Sequence, residues 1–540
     1  MSTTSPRPIP EGGLRPLSPR EGMQRLRALS CTTANIGEQR CSGQVHIGVF
    51  FDGTGNNKQQ DYDSLPPEKR KHTNVVRLFQ AHHDSPERGY FKHYVPGVGT
   101  PFPEIGDVNR TLPLGKPTGE KGEHRIIWAL LQLINSVHRY VHRGLLILPD
   151  QQNSIVNNIA SVASPAAQRR SALHHWQTKL QAALTGAKPT VEQINISVFG
   201  FSRGAAESRA FCNWLFEACQ PEGGGWTFAG IPLRVSFMGV FDTVASVGQA
   251  NLFDNGVLRG HASWADNNLE IHPAVERCVH FVAGHEVRAC FPLDSVRVRS
   301  RYPGNALEVM YPGAHSDVGG GYAPGALGIG SQPGDLYSLI PAANMYREAR
   351  LSGVPLKPLT ELPPQDRAAL QPAAETIRRF NNYVRHAKVG VSAVENMLKQ
   401  HMALYFSYRF KHRHAFESTA LFQRATAADK SSLRRTQATL IRRLAALGQG
   451  DPMATDFNPR EAARRVRAMY AASGMSHHAD HRLCDVAESI DLSRLTPEVE
   501  AFLESCVHDS MAGAIGEGID EFTLNGIGLA KFRTVFKGND

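Results

Sequence analysis

None of the eight cysteines (Cys31, Cys41, Cys212, Cys219, Cys278, Cys290, Cys484 and Cys506) forms a C-x-x-C pair, so neither a zinc cage nor a thioredoxin-like site is indicated and buried thiols are expected. Long apolar runs are missing too: no stretch approaches the roughly 20 residues that span a bilayer, and the opening MSTTSPRPIPEGG has no apolar h-region. The expectation is a chain made and folded in the cytoplasm; if it acts elsewhere, a route that needs no cleaved signal carries it. No internal repeat of fixed period is present. The glycine-rich segment His315-Ser316-Asp317-Val318-Gly319-Gly320-Gly321-Tyr322 lacks the Lys-Ser/Thr ending of a P-loop. The segment Asp52-Gly53-Thr54 lacks the first acidic residue of a D-x-D-G-T phosphatase, because Phe50 stands in its place.

What is there is a globular composition, 41% hydrophobic and 20% charged, in 540 residues, enough for a large domain with additions. Lysine and arginine number 59 against 50 acidic residues, and the resulting +9 favours phosphate-bearing partners without choosing between anionic membrane and nucleic acid. Residues 1–43 are rich in proline and poor in apolar surface, and read as a flexible arm. From Val45 the run VHIGVFF breaks at DGTGNN, the pattern of a buried strand ending in a turn. Further short strands are expected at Asn195 to Phe199, Arg234 to Val240, Glu276 to Val282 and Glu308 to Tyr311. Helical patterns lie between several of them, so the fold class is α/β with a mainly parallel sheet over residues 44–350.

Between the first strand and the strand at Asn195 there is more chain than one crossover needs, so an insertion is placed at about residues 100–190. Its segment QQNSIVNNIASVASPAAQRRSALHHWQ reads as a polar linker running into a helix. Residues 351–482 are helical and basic, either a cap or a docking region for membrane or partner. Ile377 to Arg443 alone carries a +11 excess, more than the whole chain's +9. An anionic surface would attract such a region. The interleaved Met397, Leu398, Met402, Leu404, Tyr405, Phe406, Tyr408 and Phe410 fit the core of a helical cap better than a membrane face. Residues 483–540 are expected to pack back on the catalytic domain and end in an edge strand within KFRTVFKG.

Gly200-Phe201-Ser202-Arg203-Gly204 fits G-x-S-x-G, in which a serine occupies a sharp strand-to-helix turn. In a chain with 48 glycines the pattern counts only with its context, and here INISVF leads in and AAESRAFCNWL leads out. A serine hydroxyl needs a base, and the base needs a carboxylate to orient it. Asp242 after RVSFMGVF and His315 after LEVMYPGA stand at strand ends in the order Ser, acid, His. Asp254 is the reserve acid and His285 a rival base. The cluster His508-Asp509-Ser510 is a possible secondary site. Gly53 or Thr54 would give one main-chain donor to an oxyanion and Arg203 the other. No metal site is indicated and no cofactor is required, with stimulation by calcium left open.

Five segments in order, HIGVFFDGTGNN, VPGVGT, FGFSRGAAESR, GVFDTVASVG and YPGAHSDVGGGY, resemble the α/β-hydrolase domain of the type VI secretion lipase effectors over roughly Val45 to Tyr322. The resemblance implies Ser202 as nucleophile, Asp242 as acid and His315 as base. It further implies phospholipase activity on glycerophospholipids, delivery by the injection spike protein into a rival bacterium's periplasm, and a cognate immunity protein. The segment VAGHEVRACF departs from the family, with His285 where an acidic residue is expected, which lessens any supporting role there. Nucleic acid is not an expected partner. A serine esterase acting on a soluble ester, or a non-catalytic basic binding protein on a hydrolase fold, are the alternatives.

Overall fold

The computed structural model describes residues 2–30, 42–108, 121–160, 166–244, 263–265, 267–288, 291–474, 478–513 and 532–537. Strands run at β1 (Ser42–Phe51), β2 (Tyr90–Val95), β3 (Thr190–Phe201), β4 (Gln220–Glu222), β5 (Gly225–Phe228), β6 (Ile231–Phe241), β7 (Cys278–Ala283), β8 (Leu293–Ser295), β9 (Ala306–Tyr311) and β10 (Val535–Lys537). In space the parallel strands lie in the order β2-β1-β3-β6-β7-β9, and the β4–β5 hairpin adds antiparallel to the start of β6. Chain order reverses between β1 and β3, and in open α/β sheets the crevice beyond such a reversal receives ligands.

Both faces of the sheet are covered, which is why its strands read as nearly continuous apolar runs. Along β1, Val45, Ile47, Val49 and Phe51 enter one core, while Phe50 enters the other. β6 alternates likewise, Met238 and Val240 on one face, Phe237 and Phe241 on the opposite. The insertion supplies helix Gly122–His142 to the first face, together with Pro149–Ala160, where the sequence suggests a polar linker. That helix is polar outside, but Gln152, Val156 and Ile159 are buried, a spacing of one residue per turn that composition alone hides.

The second face carries the helical region. Helices Leu339–Leu351, Ala374–His386, Val394–Lys411 and Pro497–Cys506 share one core with the sheet, so this region is no loose appendage. All eight residues of the stripe from Met397 to Phe410 are buried in it.

The proline-rich arm also differs from expectation, for residues 2–30 are docked. Thr4 forms a parallel bridge with Val309 on β9, and Ile9 is buried with its N–H and C=O both bonded to the Asn381 side chain. Helix Pro19–Ser30 is held by Glu21 against Arg347 and by Arg25, whose guanidinium donates to the carbonyls of Arg350 and Val354 at 2.9 Å each. Polar anchors substitute here for the apolar area that the composition lacks.

Candidate active site

β3 delivers Ser202 to the C-terminal edge of the sheet, immediately before helix Arg203–Ala218. Its backbone stands at φ 58° and ψ −124°, a region an L-residue occupies only when its surroundings compel it. The glycines two residues to either side show what compels it. A Cβ on Gly200 would lie 2.4 Å from the Gly204 carbonyl, and one on Gly204 would lie 2.3 Å from the Asp52 carbonyl. Strand, helix and the loop after β1 are therefore pressed together around the serine. That loop is braced in turn: Gly97 N–H donates to the Asn56 carbonyl at 3.0 Å, and Gly55 N–H to the Val98 carbonyl at 3.0 Å. Thus VPGVGT is the buttress of DGTGNN.

Asp242 follows directly on β6 at φ 39°, and His315 opens the short helix that follows β9. His315 Nδ1 lies 2.5 Å from Asp242 Oδ2. Ser202 N–H donates to the Phe241 carbonyl at 3.0 Å, and the Ser202 carbonyl accepts from Val244 N–H at 3.2 Å, so the serine is tied to both sides of Asp242. The Phe201 ring lies 4.5 Å from the His315 ring. Ser202 and the Asp242–His315 pair, 2%, 0% and 3% exposed, thus lie at the same end of the sheet. Burial lowers the His315 pKa below its ordinary value, with Asp242 pulling the other way, which favours the neutral ring. Burial opposes ionisation of Asp242, yet the Arg533 guanidinium and His315 hold its carboxyl well below the usual carboxylate range.

Of the two loop donors expected for an oxyanion, Gly53 is already committed: its N–H donates to Asp52 Oδ1 at 2.8 Å. Asp52 also accepts from Thr73 and Tyr94, at 2.7 and 2.6 Å, and burial pushes its carboxyl up to about 6. Thr54 is the other loop candidate, and its hydroxyl accepts from the Arg203 guanidinium. The reserve acid Asp254 lies outside the described residues.

A family profile described as "T6SS, Phospholipase effector Tle1-like, catalytic domain" matches residues 46–219 and 222–348. This chain belongs to the Tle1-like phospholipase effectors of type VI secretion. An uncharacterized protein from Pseudomonas aeruginosa, known from its crystal structure, superposes at a TM-score of 0.78 with 25% identity, over 100% of this chain and 85% of that one. The fold it shares includes the helices beyond the family's catalytic region. A Tle1 effector bound to the VgrG spike from the type 6 secretion system aligns at a TM-score of 0.29 and 21% identity, over 53% of each chain. Comparison with curated proteins finds no match.

In this Tle1-like effector the His315 loop is gripped by the segment whose supporting role the sequence had made doubtful. Glu286 Oε2 accepts from His315 N–H at 3.1 Å and is itself paired with Arg288. Burial works against the Glu286 charge, but Arg288 holds its pKa at about 2. His285 Nδ1 accepts from Gly313 N–H at 2.8 Å, and Tyr383 and His401 continue that network. The His-Glu-Val-Arg segment therefore supports the site although it departs from the expected acidic pattern.

The secondary cluster diverges instead of forming a site. His508 Nδ1 bonds Asp317, Asp509 pairs with Arg409, and the Ser510 hydroxyl donates to Glu286 Oε1 at 2.8 Å. His508 stacks on Tyr322, and the imidazole paired with Asp242 is that of His315. Residues 508–510 are thus a three-pronged latch behind the histidine loop.

One turn into the helix after Ser202, Glu207 is buried with neither carboxyl oxygen bonded among the described residues, and burial pushes it up to about 8. An acid raised in this way stabilises the fold relative to its ionising unfolded state below about pH 4.5, and that contribution is lost as pH rises through about 8. Glu207→Gln should therefore raise the melting temperature at pH 8 and leave it nearly unchanged at pH 4.5. An equal effect at both, by calorimetry, would contradict a neutral Glu207.

Proposed function

We propose that this effector is a serine phospholipase of the A type, attacking glycerophospholipid esters in the membrane of a rival bacterium. The observation that carries the reading is the Asp242–His315 couple set beside a serine on a strained strand-to-helix turn. His315 takes the proton of Ser202 as Oγ attacks the ester carbonyl. The oxyanion that forms accepts from main-chain N–H groups at Thr54 and at the start of helix Arg203–Ala218, whose dipole favours negative charge. Asp242 stabilises the imidazolium; His315 then protonates the leaving lysolipid, and water, activated by the same ring, releases the fatty acid. Residues of the chain suffice for every step, and calcium is left only a stimulating role at the membrane.

Family membership supports the rest: synthesis in the producer's cytoplasm, carriage by a spike protein, action in the target's periplasm, and a cognate immunity protein in the producer. Hydrolysis of mixed phosphatidylethanolamine and phosphatidylglycerol vesicles tests the reaction, with lysolipid and fatty acid resolved and a fluorophosphonate probe mapping the labelled residue. The expected result is release of fatty acid, faster per site than from short monomeric esters, and label on Ser202. Turnover of monomeric esters alone would make the enzyme a soluble esterase. No turnover and no label in folded protein, with or without calcium, would leave a basic binding protein.

A further inference from the structure

Arg533 lies 291 residues from Asp242 in sequence, yet its guanidinium reaches that carboxylate with two parallel bonds, Nη1 to Oδ1 at 2.8 Å and Nη2 to Oδ2 at 2.9 Å. Nε donates to the Phe291 carbonyl, and the Phe291 ring packs edge-on against His315 at 5.0 Å between centroids. The arginine side chain is wholly buried. Its backbone is held as firmly as its head: β10 pairs in parallel with β8, and Leu293 N–H donates to the Thr534 carbonyl at 2.9 Å. β8 is fastened to the residue beside the acid, Asp294 N–H donating to the Thr243 carbonyl at 2.9 Å. Ala283 N–H adds a bond of 2.9 Å to Asp242 Oδ1. Asp242 is therefore fixed in plane and in rotation, and Oδ2 is presented to His315 Nδ1.

We propose that Arg533 is a positioning residue of the hydrolytic site, fixing through its two-bond grip the carboxylate that orients His315. The proposal rests on the Ser202–His315–Asp242 reading above. Only a planar fork satisfies both oxygens, so a lysine, a point charge on a flexible stem, would keep the charge but lose one bond. The guanidinium also shares the negative charge that would otherwise act on the imidazolium alone. Around this pair stand Glu286 and Arg288 from the loop after β7, His280 on β7 and Asp317 on the helix of His315. Removing Arg533 leaves Asp242 uncompensated, which favours protonated His315 and moves the acid limb of activity to higher pH.

The test compares full-length wild type with Arg533→Lys and Arg533→Ala on a short ester, with rates normalised to fluorophosphonate-titrated sites. The wild type should lose kcat/KM on an acid limb lying below the ordinary imidazole range. Misplacement of a catalytic group by about 1 Å can cost about 100-fold, the loss expected for Ala, with a smaller one for Lys. In Arg533→Ala the acid limb should move up, and low concentrations of free guanidinium ion should restore part of the rate. Unchanged rates per titrated site, an unmoved limb and no response to guanidinium would overturn the proposal and make Arg533 a structural anchor. If the Ala variant does not fold, the Lys variant carries the same comparison. NMR titration of the His315 ring reads the coupling without turnover, so an inert wild type would sink the hydrolase reading while an unshifted His315 would sink this one.

Discussion

Ser202→Ala is expected to lower ester turnover by about a million-fold, the loss seen when the nucleophile of such a unit is removed, while leaving the chain folded. Alanine fills the same turn and suffers the same backbone strain, so far-UV circular dichroism and the denaturation midpoint should match the wild type. Ser202→Gly separates strain from chemistry. Glycine tolerates φ 58° without cost, relieving about 1–3 kcal/mol, against about 0.5–1 kcal/mol of added chain entropy in the unfolded state. The glycine variant should therefore be equally inactive yet more stable than the alanine variant by about 1 kcal/mol. Equal midpoints would mean that the close approaches at Gly200 and Gly204 do not strain the serine. Residual turnover above background in Ser202→Ala would remove the serine from the mechanism.

The second large effect lies away from the chemistry. Arg409 is buried against Asp509, and its other donors go to Tyr405 at 2.7 Å, Gln437 at 2.7 Å and Thr436 at 3.3 Å. Arg409→Ala strands a buried carboxylate, for which about 3–5 kcal/mol of lost stability is expected. Replacing both partners with apolar residues, Arg409→Met with Asp509→Leu, should recover most of that loss, because no unpaired charge remains. Denaturant midpoints of the two variants decide this. The single variant should also lose activity, since His508 and Ser510 flank Asp509 and hold Asp317 and Glu286 beside His315. A single variant destabilised by less than about 1 kcal/mol would place the pair in the class of solvent-screened surface bridges.

The turn at Ser202 was legible because it is local: strand, G-x-S-x-G and helix are consecutive, and each glycine answers a contact only a few ångströms away. Asp242 and His315 could be placed because a parallel sheet puts successive strand ends on one edge, where order along the chain becomes neighbourhood in space. What local pattern cannot supply is pairing across hundreds of residues. In KFRTVFKG, Arg533 reads as one more basic residue on a short strand, and nothing nearby points to a carboxylate at position 242. Arg409 was counted with a basic surface, though it is a buried ion-pair partner, because composition cannot tell a solvated charge from a matched one. Gly53 was a reasonable oxyanion donor until the adjacent Asp52 proved to take its N–H. The docked arm was misread for a related reason: side-chain amides, carboxylates and guanidinium groups can fasten a segment that has little apolar area.

A sheet of this kind ends in two bare rows of backbone donors and acceptors, each a template on which another chain could add a strand. At β2 the start of the outer row is taken by the chain just before it, Ser85 N–H donating to the Tyr90 carbonyl at 2.9 Å and Tyr90 N–H to the Ser85 carbonyl at 3.1 Å. At β9 the guard is the arm itself: Thr4 N–H donates to the Glu308 carbonyl, and Met310 N–H to the Thr4 carbonyl, occupying the row before a stranger can. The arm is thus also a safeguard against self-association, and an effector deprived of its first ten residues would expose β9 as a sticky edge in crowded solution.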